Sequence, residues 1–463
     1  MNFVSLSFGA YLCIIIFLIS KTDTIKQQRY ILLFFSLLFY SWWDIRFTIL
    51  LLFAIGVSYV CTLGMVHNEV KRKKYCYAGV IVLLGILGVF KYYNFFVDSF
   101  CNVFQVSRPM SIKIVLPVGI SFYTFQAISY IVDVYKGNIL PTNDFSKVAL
   151  YISFFPQLVA GPIVRAKDFM KQLEEFHPIE KENLLEGIQI FLFGLAKKIV
   201  IADRMAVCVD AVFSAPTQYN AVSLICAVIT YSIQIYCDFS GYSDMAIGIA
   251  KMLGYELCKN FNVPYISKNP TEFWKRWHIS LSSWLRDYIY IPLGGNRKGR
   301  IRQYANLCIT MLLGGLWHGA NWTFIVWGGG VHGIALIVHK IFLKKYIISK
   351  NRISTFFSII CTYVFVCICW IFFRADSITT AITIIERIFK WGVGINYIYS
   401  YTIIYGIVIF GIGLFVWIKS NGNGFYLVLD LKKIRNRFIF FLSVFILILL
   451  SYLGDTAFIY FQF

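Results

Sequence analysis

The sequence predicts an all-α integral membrane protein that crosses the bilayer many times. Three observations carry that prediction. Of its 463 residues, 59% are hydrophobic and only 14% charged, more apolar than a soluble core of this size requires. The apolar residues stand in long runs, several of them near the roughly 20 residues that a helix needs to span a bilayer. Aromatic residues make up 18%, and Trp and Tyr favour the two membrane interfaces.

The runs Met1–Ser20, Tyr30–Trp43, Phe47–Met65 and Tyr77–Phe90 come early, and Phe438–Leu453 comes late. No basic segment precedes Phe3–Ile19 and no small-x-small site follows it, so the first run is expected to be a span and not a cleavable signal. Lys21, Lys26 and Arg29 follow it, an order that turns the amino terminus outward. The net charge is +20. A basic excess can mean nucleic-acid binding, but here the charges are dispersed between spans, which argues against a nucleic-acid partner. They cluster at Lys71–Lys74, at Arg297, Lys298, Arg300 and Arg302, at Lys340, Lys344 and Lys345, and at Lys432, Lys433, Arg435 and Arg437. Placing every cluster in a cytoplasmic loop gives about a dozen crossings with both termini outside.

No internal repeat or low-complexity linker is evident, so residues 1–463 read as a single membrane domain in three parts. Residues 1–135 and 353–463 are plain spans. Residues 147–340 are different, because Pro, Gly, His, Asp and Arg interrupt the apolar stretches. Broken helices at membrane depth survive only where they are buried in protein or line a wet cavity, so the active cavity is expected there. Two prolines in Phe154–Arg165 predict a re-entrant helix pair or a surface-lying helix. Ala381, Ile384, Ile385 and Ile388 share one helical face of Ser377–Trp391, which predicts an interfacial helix. The 12 cysteines are scattered without a CxxC pair and read as packing residues. No HExxH motif or carboxylate cluster points to a metal.

Three constellations could carry chemistry. His318 stands in Leu313–Trp322 with apolar stretches on both sides. An imidazole at membrane depth is costly to keep, yet it can exchange a proton near neutral pH. It reads as a candidate catalytic base, against the blander reading of a satisfied core histidine. Gly314, Gly315 and Gly319 would let a backbone or substrate approach, and Asn321 adds a second polar group. The second constellation is Pro270–Gly295. Trp274, Trp277, Leu281, Trp284 and Leu285 recur at helical spacing and predict an amphipathic helix at the cytoplasmic interface. Lys275, Arg276 and Arg286 beside Trp274 would hold the phosphates and flat base of a nucleotide-bearing acyl donor. Arg286 and Asp287 could instead form a structural ion pair, and His278 is either a second catalytic group or a strut. The third is Gln234–Asp244, where Asp238 and Asp244 interrupt a span. Buried acids need partners, and the arginines of the following segment are expected to supply them, either structurally or while orienting a histidine. His339 is expected to snorkel to the cytoplasmic face, and His332 stays open.

Six runs together resemble the membrane-bound O-acyltransferase family, within it the alginate O-acetylase type. They are Leu116–Gln126, Phe155–Ile163, Asp238–Asp244, Phe273–Gly295, Gly315–Trp322 and Phe458–Phe463. The most specific pair is Trp277-His278-Ile279-Ser280-Leu281-Ser282 with Leu316-Trp317-His318-Gly319. The resemblance implies about 11–12 transmembrane helices, with re-entrant or interfacial helices around a central tunnel. It implies transfer of an acyl group from a cytoplasmic thioester, acetyl-CoA or another acyl thioester, to a hydroxyl, with no bound cofactor. It places the family's active-site histidine on His318 and the second histidine of the polysaccharide-modifying subgroup on His278. It further implies a multi-pass protein of the bacterial cytoplasmic membrane, bathed in lipid, with an extracytoplasmic SGNH-esterase-like partner and a polysaccharide acceptor. D-alanyl transfer to teichoic acid belongs to a near relative and stays open. So do a transporter or flippase of an acyl donor or lipid-linked sugar, and a scaffolding subunit.

Overall fold

The computed structural model describes residues 2–107, 114–342, 352–402, 404–408, 411, 428–452, 454 and 458–459. Lys344, Lys345 and residues 460–463 of the expected family ending lie outside them. Within the described residues the regular structure is helical, apart from a single parallel bridge between Tyr219 and Ile395. In chain order the helices are α1 (Leu6–Ile19), α2 (Ile25–Ser41), α3 (Ile45–His67), α4 (Arg72–Leu87), α5 (Tyr93–Phe104), α6 (Ile120–Lys136) and α7 (Phe145–Ser153). There follow α8 (Phe155–Leu158), α9 (Ala166–Gln172), α10 (Lys181–Ala196), α11 (Asp203–Ser214), α12 (Ala221–Met252), α13 (Pro270–Arg276) and α14 (Ile279–Leu285). The last are α15 (Arg300–His318), α16 (Trp322–Ile325), α17 (Gly333–Ile341), α18 (Arg352–Arg374), α19 (Ile378–Phe389) and α20 (Ile434–Leu450).

The early helices begin where their sequences supply an acceptor for orphan amides. Ser5, Thr24 and Asp44 each cap the helix that follows. Among the described residues, five helical stretches are long and apolar enough to cross a membrane: Ile45–His67, Glu69–Phe104, Ala221–Met252, Trp322–Ile341 and Ile353–Arg374. The second corrects an expectation. Lys71–Lys74 is no loop, because a short 3₁₀ turn over Glu69–Lys71 leads directly into α4. A π turn at Gly88–Tyr92 then carries that helix into α5.

The chain divides into two compact units, Met1–Phe191 with Ser243–Cys258 and Leu192–Tyr242 with Lys259–Phe463. In the first, Phe8, Tyr11, Phe39 and Phe155 pack ring against ring. The double-proline segment lies in this unit, and the structure removes the surface-lying alternative. Residues 154–165 are all buried, with Pro156 in the first turn of the four-residue α8. That position suits proline because its amide would be unpaired in any case. Gly119 stands against this segment in the left-handed region at φ 74°, where a Cβ would lie 2.7 Å from the Leu158 carbonyl oxygen.

In the second unit, backbone packs directly on backbone. A Cβ on Gly315 of α15 would lie 2.2 Å from the Phe324 carbonyl oxygen, and one on Gly328 would lie 2.7 Å from the Met311 carbonyl oxygen. Glycines thus let α15 close against α16 and the π-helical turn Val326–His332 that joins α16 to α17. The approach that Gly315 allows is one of backbone to backbone. In α19, Ala381 and Ile384 are buried while Ile382 and Phe389 are exposed, so the expected one-sided helix forms. None of the twelve cysteines is in a disulfide.

Candidate active site

The helix expected across Pro270–Gly295 is broken at its middle, and the break positions a histidine. Trp277 is extended and His278 is left-handed at φ 42°, so α13 and α14 are separate short helices. A left-handed non-glycine residue costs about 1–2 kcal/mol, so something must hold the turn. Asn260 does so: its carbonyl accepts the Ile279 amide at 2.8 Å and its Oδ1 accepts the Ser280 hydroxyl at 2.5 Å. Asn262 donates its amide to the Arg276 carbonyl at 2.9 Å. With the axis redirected, Trp277, Leu281, Trp284 and Leu285 are buried in protein.

His278 is fully buried, its ring centroid 4.6 Å from that of Phe239 on α12 and 5.7 Å from that of Trp317. His318, the last residue of α15, is 2% exposed. The two imidazoles, forty positions apart in sequence, approach to 6.1 Å between centroids. That is close enough for a single bound group to touch both. Aromatic rings wall His318 in: Trp317 and Trp327 at 5.1 Å and Phe373 of α18 at 5.4 Å. Beyond Trp327 lies His332, fully buried, with its ring 5.2 Å from that indole.

The other expected site residues divide. Trp274 turns toward this wall, edge-on to Trp327 at 5.8 Å and to His332 at 5.1 Å. Lys275 and Arg276 line a cleft of about 570 Å³ with Asn262, Asn269, Thr271, Glu272 and His339. Lys275 is exposed there. Arg276 is engaged, paired with Glu272 at 2.9 Å and donating to the Asn262 carbonyl at 3.2 Å. Arg286 is exposed and pairs with Asp287 at 2.7 Å, the structural alternative that the sequence left open. Asn321 caps α16, accepting the Thr323 amide at 3.0 Å and donating to the Asp376 carbonyl at 3.1 Å.

Asp238 requires a correction. Its cation is Lys198, which precedes it in the chain, and not an arginine of the following segment. The buried Lys198 ammonium sits 2.6 Å from Asp238 and 2.7 Å from Asp203, and the second Asp238 oxygen accepts the Ile459 amide at 2.8 Å. His339 is also corrected. It does not snorkel but is buried, with Nδ1 2.9 Å from the Thr271 hydroxyl.

Residues 142–382, more than half of the chain, match the membrane-bound O-acyltransferase family. This chain belongs to that family. Among its relatives, the "Probable alginate O-acetylase AlgI" of Pseudomonas aeruginosa is 41% identical over 79% of this chain and 71% of its own. The peptidoglycan O-acetyltransferase of Helicobacter pylori is 38% identical over 78% of this chain and 73% of its own. The teichoic acid D-alanyltransferase of Bacillus subtilis is 29% identical over 54% of this chain and 66% of its own. The protein is thus a membrane-bound O-acyltransferase. Sequence reasoning about this acyltransferase missed Lys198, Trp327 and Phe373. The run Trp327-Gly328-Gly329-Gly330 carried a usable signal, since three consecutive glycines mark a close backbone approach.

Proposed function

We propose that this acyltransferase moves an acetyl group from a cytoplasmic thioester, acetyl-CoA, across the bacterial cytoplasmic membrane. The acetyl group serves O-acetylation of an extracytoplasmic polysaccharide through an SGNH-esterase-like partner. The observation that carries the reading is the pairing of His278 and His318, 6.1 Å apart in a buried aromatic enclosure. Similarity to O-acetylating relatives over nearly four-fifths of the chain supports the acetyl group and the glycan acceptor.

The chemistry follows from the groups present. Neutral His318 takes the acceptor hydroxyl proton as that oxygen attacks the thioester carbonyl. The carbon–sulfur bond then breaks, and the imidazolium returns its proton to the leaving thiolate. His318 ends α15, where the negative end of the helix dipole favours the cation that forms in between. His278 polarises the carbonyl or orients the substrates. Aromatic walls exclude the water that would hydrolyse the thioester. Lys275, exposed in the cleft beside α13, meets the donor's phosphates.

The relatives that transfer D-alanine to teichoic acid favour a second donor, a D-alanyl thioester on a carrier protein. One experiment separates these readings from a carrier that only relocates its cargo. Membranes containing the protein receive acetyl-CoA or a D-alanyl carrier protein, each labelled in the acyl group. Covalent label in partner or glycan from acetyl-CoA is the expected result. His318→Ala should lower that transfer by about 10²–10⁴-fold while the protein stays folded. Unaltered transfer by a folded His318→Ala protein would refute the assignment of the base.

A further inference from the structure

Trp327 and His332 bring two hydrogen-bond donors to the aromatic wall beside His318. The His332 Nδ1 accepts the Trp274 indole N–H at 3.3 Å, so the proton of the neutral ring is on Nε2. That Nε2 is buried and meets no hydrogen-bond partner among the described residues. The same is true of the Trp327 indole N–H. Neighbouring rings fix the orientation of both. His332 lies flat on Phe273 at 6.1 Å with an interplanar angle of 6°, and Phe365 closes its edge at 5.4 Å. Trp327 is wedged between His318 and His332, at 5.1 and 5.2 Å. Buried donors left without an acceptor are destabilising, so each of these two calls for an acceptor. Both belong to the π-helical turn Val326–His332, a local geometry that recurs at functional sites.

A ligand for such a pair must offer acceptors without bringing donors to the same side. Carbonyl oxygens meet that requirement. We propose that His332 and Trp327 bind the amide carbonyl of the donor's pantetheine arm and thereby hold the thioester at His318. This rests on the thioester-donor reading above. In such an arm the nearest amide is separated from sulfur by two methylenes, a reach comparable with the 5.1 Å from the His318 ring to the Trp327 ring and the 5.2 Å from there to His332. The arm is common to coenzyme A and to carrier proteins, and the site would take either.

The test uses two small acetyl donors on membranes that contain the full-length protein and its native acceptor. S-acetyl-N-acetylcysteamine carries the amide, and S-acetyl-butanethiol lacks it. The native protein should show a KM about tenfold or more lower for the amide-bearing donor. His332→Phe and Trp327→Phe keep a ring but delete the donor. Each should raise KM for the amide-bearing donor about tenfold more than KM for the amide-free donor, so that the native preference is lost. His332→Gln, which retains an N–H, should recover part of the preference. Equal losses on both donors would mean a packing role and overturn the proposal, as would no loss on either. If His332→Phe fails to fold, Trp327→Phe decides alone. Native protein that uses neither thioester would refute the donor reading itself, and this proposal with it.

Discussion

At the scale of single residues, Lys198 has the least freedom to change. It is 3% exposed and bridges two carboxylates that are themselves buried, Asp203 at 5% and Asp238 at 1% exposure. Removing the ammonium leaves two like charges facing each other without water, an arrangement that costs about 3–5 kcal/mol. Lys198→Met should therefore lower the detergent melting temperature sharply or abolish recovery of folded protein. Replacing all three groups, as Lys198→Met with Asp203→Asn and Asp238→Asn, removes the uncompensated charge. The triple variant should regain most of the lost stability, as read by thermal unfolding on the same detergent. A single variant that melts like the native protein would show that the triad contributes nothing.

At the scale of elements, the close packing of α15 on α16 and the π turn sets where His318 can stand. The Gly315 Cα faces the Phe324 carbonyl, which is backbone and cannot rotate away. Gly315→Ala must push the two segments apart, at a cost of about 1–3 kcal/mol, and should displace His318 with them. Gly85 of α4 is the matched control, since a Cβ there meets nothing within 4 Å. Gly85→Ala should be neutral or stabilise by up to about 1 kcal/mol. Melting temperature and acyl transfer, measured on both variants, check this; equal behaviour of the two would contradict the packing argument. The same elements show what a sequence displays and what it hides. His318 and His278 stand out because a titratable group in an apolar run is conspicuous whatever surrounds it. The helix break at His278 does not, because nothing local marks it. Trp274, Trp277, Leu281 and Trp284 keep helical spacing across it, and the turn is held by Asn260 from a preceding loop. Lys198 is hidden for a similar reason. Its carboxylate partner Asp238 comes forty positions later, and only tertiary packing joins them. Gly315 and Gly328 are visible as glycines, but the segment each admits is visible only in the fold.

At the scale of the whole molecule, the distribution of charge dictates how the chain sits across the bilayer. Lys and Arg near span ends favour the cytoplasmic side, a rule that predicts a cytoplasmic position for the clusters at Arg297–Arg302 and Lys432–Arg437. The second unit is consistent with that orientation. α15 begins at Arg300 and ends at His318, and the Asn321 side chain just beyond it donates to the Asp376 carbonyl just beyond α18. Both helices therefore end at one level, opposite the basic loop before α15. If that loop is cytoplasmic, the turn after His318 faces outward, toward a glycan acceptor, while Lys275 and His339 belong to the face that a cytoplasmic donor reaches. Reporter fusions read this directly. Alkaline phosphatase, which matures only outside, should be inactive when fused after Lys298 or Lys433 and active after Trp391. A fluorescent protein that matures only in the cytoplasm should give the reverse pattern at the same three positions. Phosphatase activity at Lys298 would invert the path, put His318 at the donor's end of the protein, and remove the outward-facing acceptor from the proposed reaction.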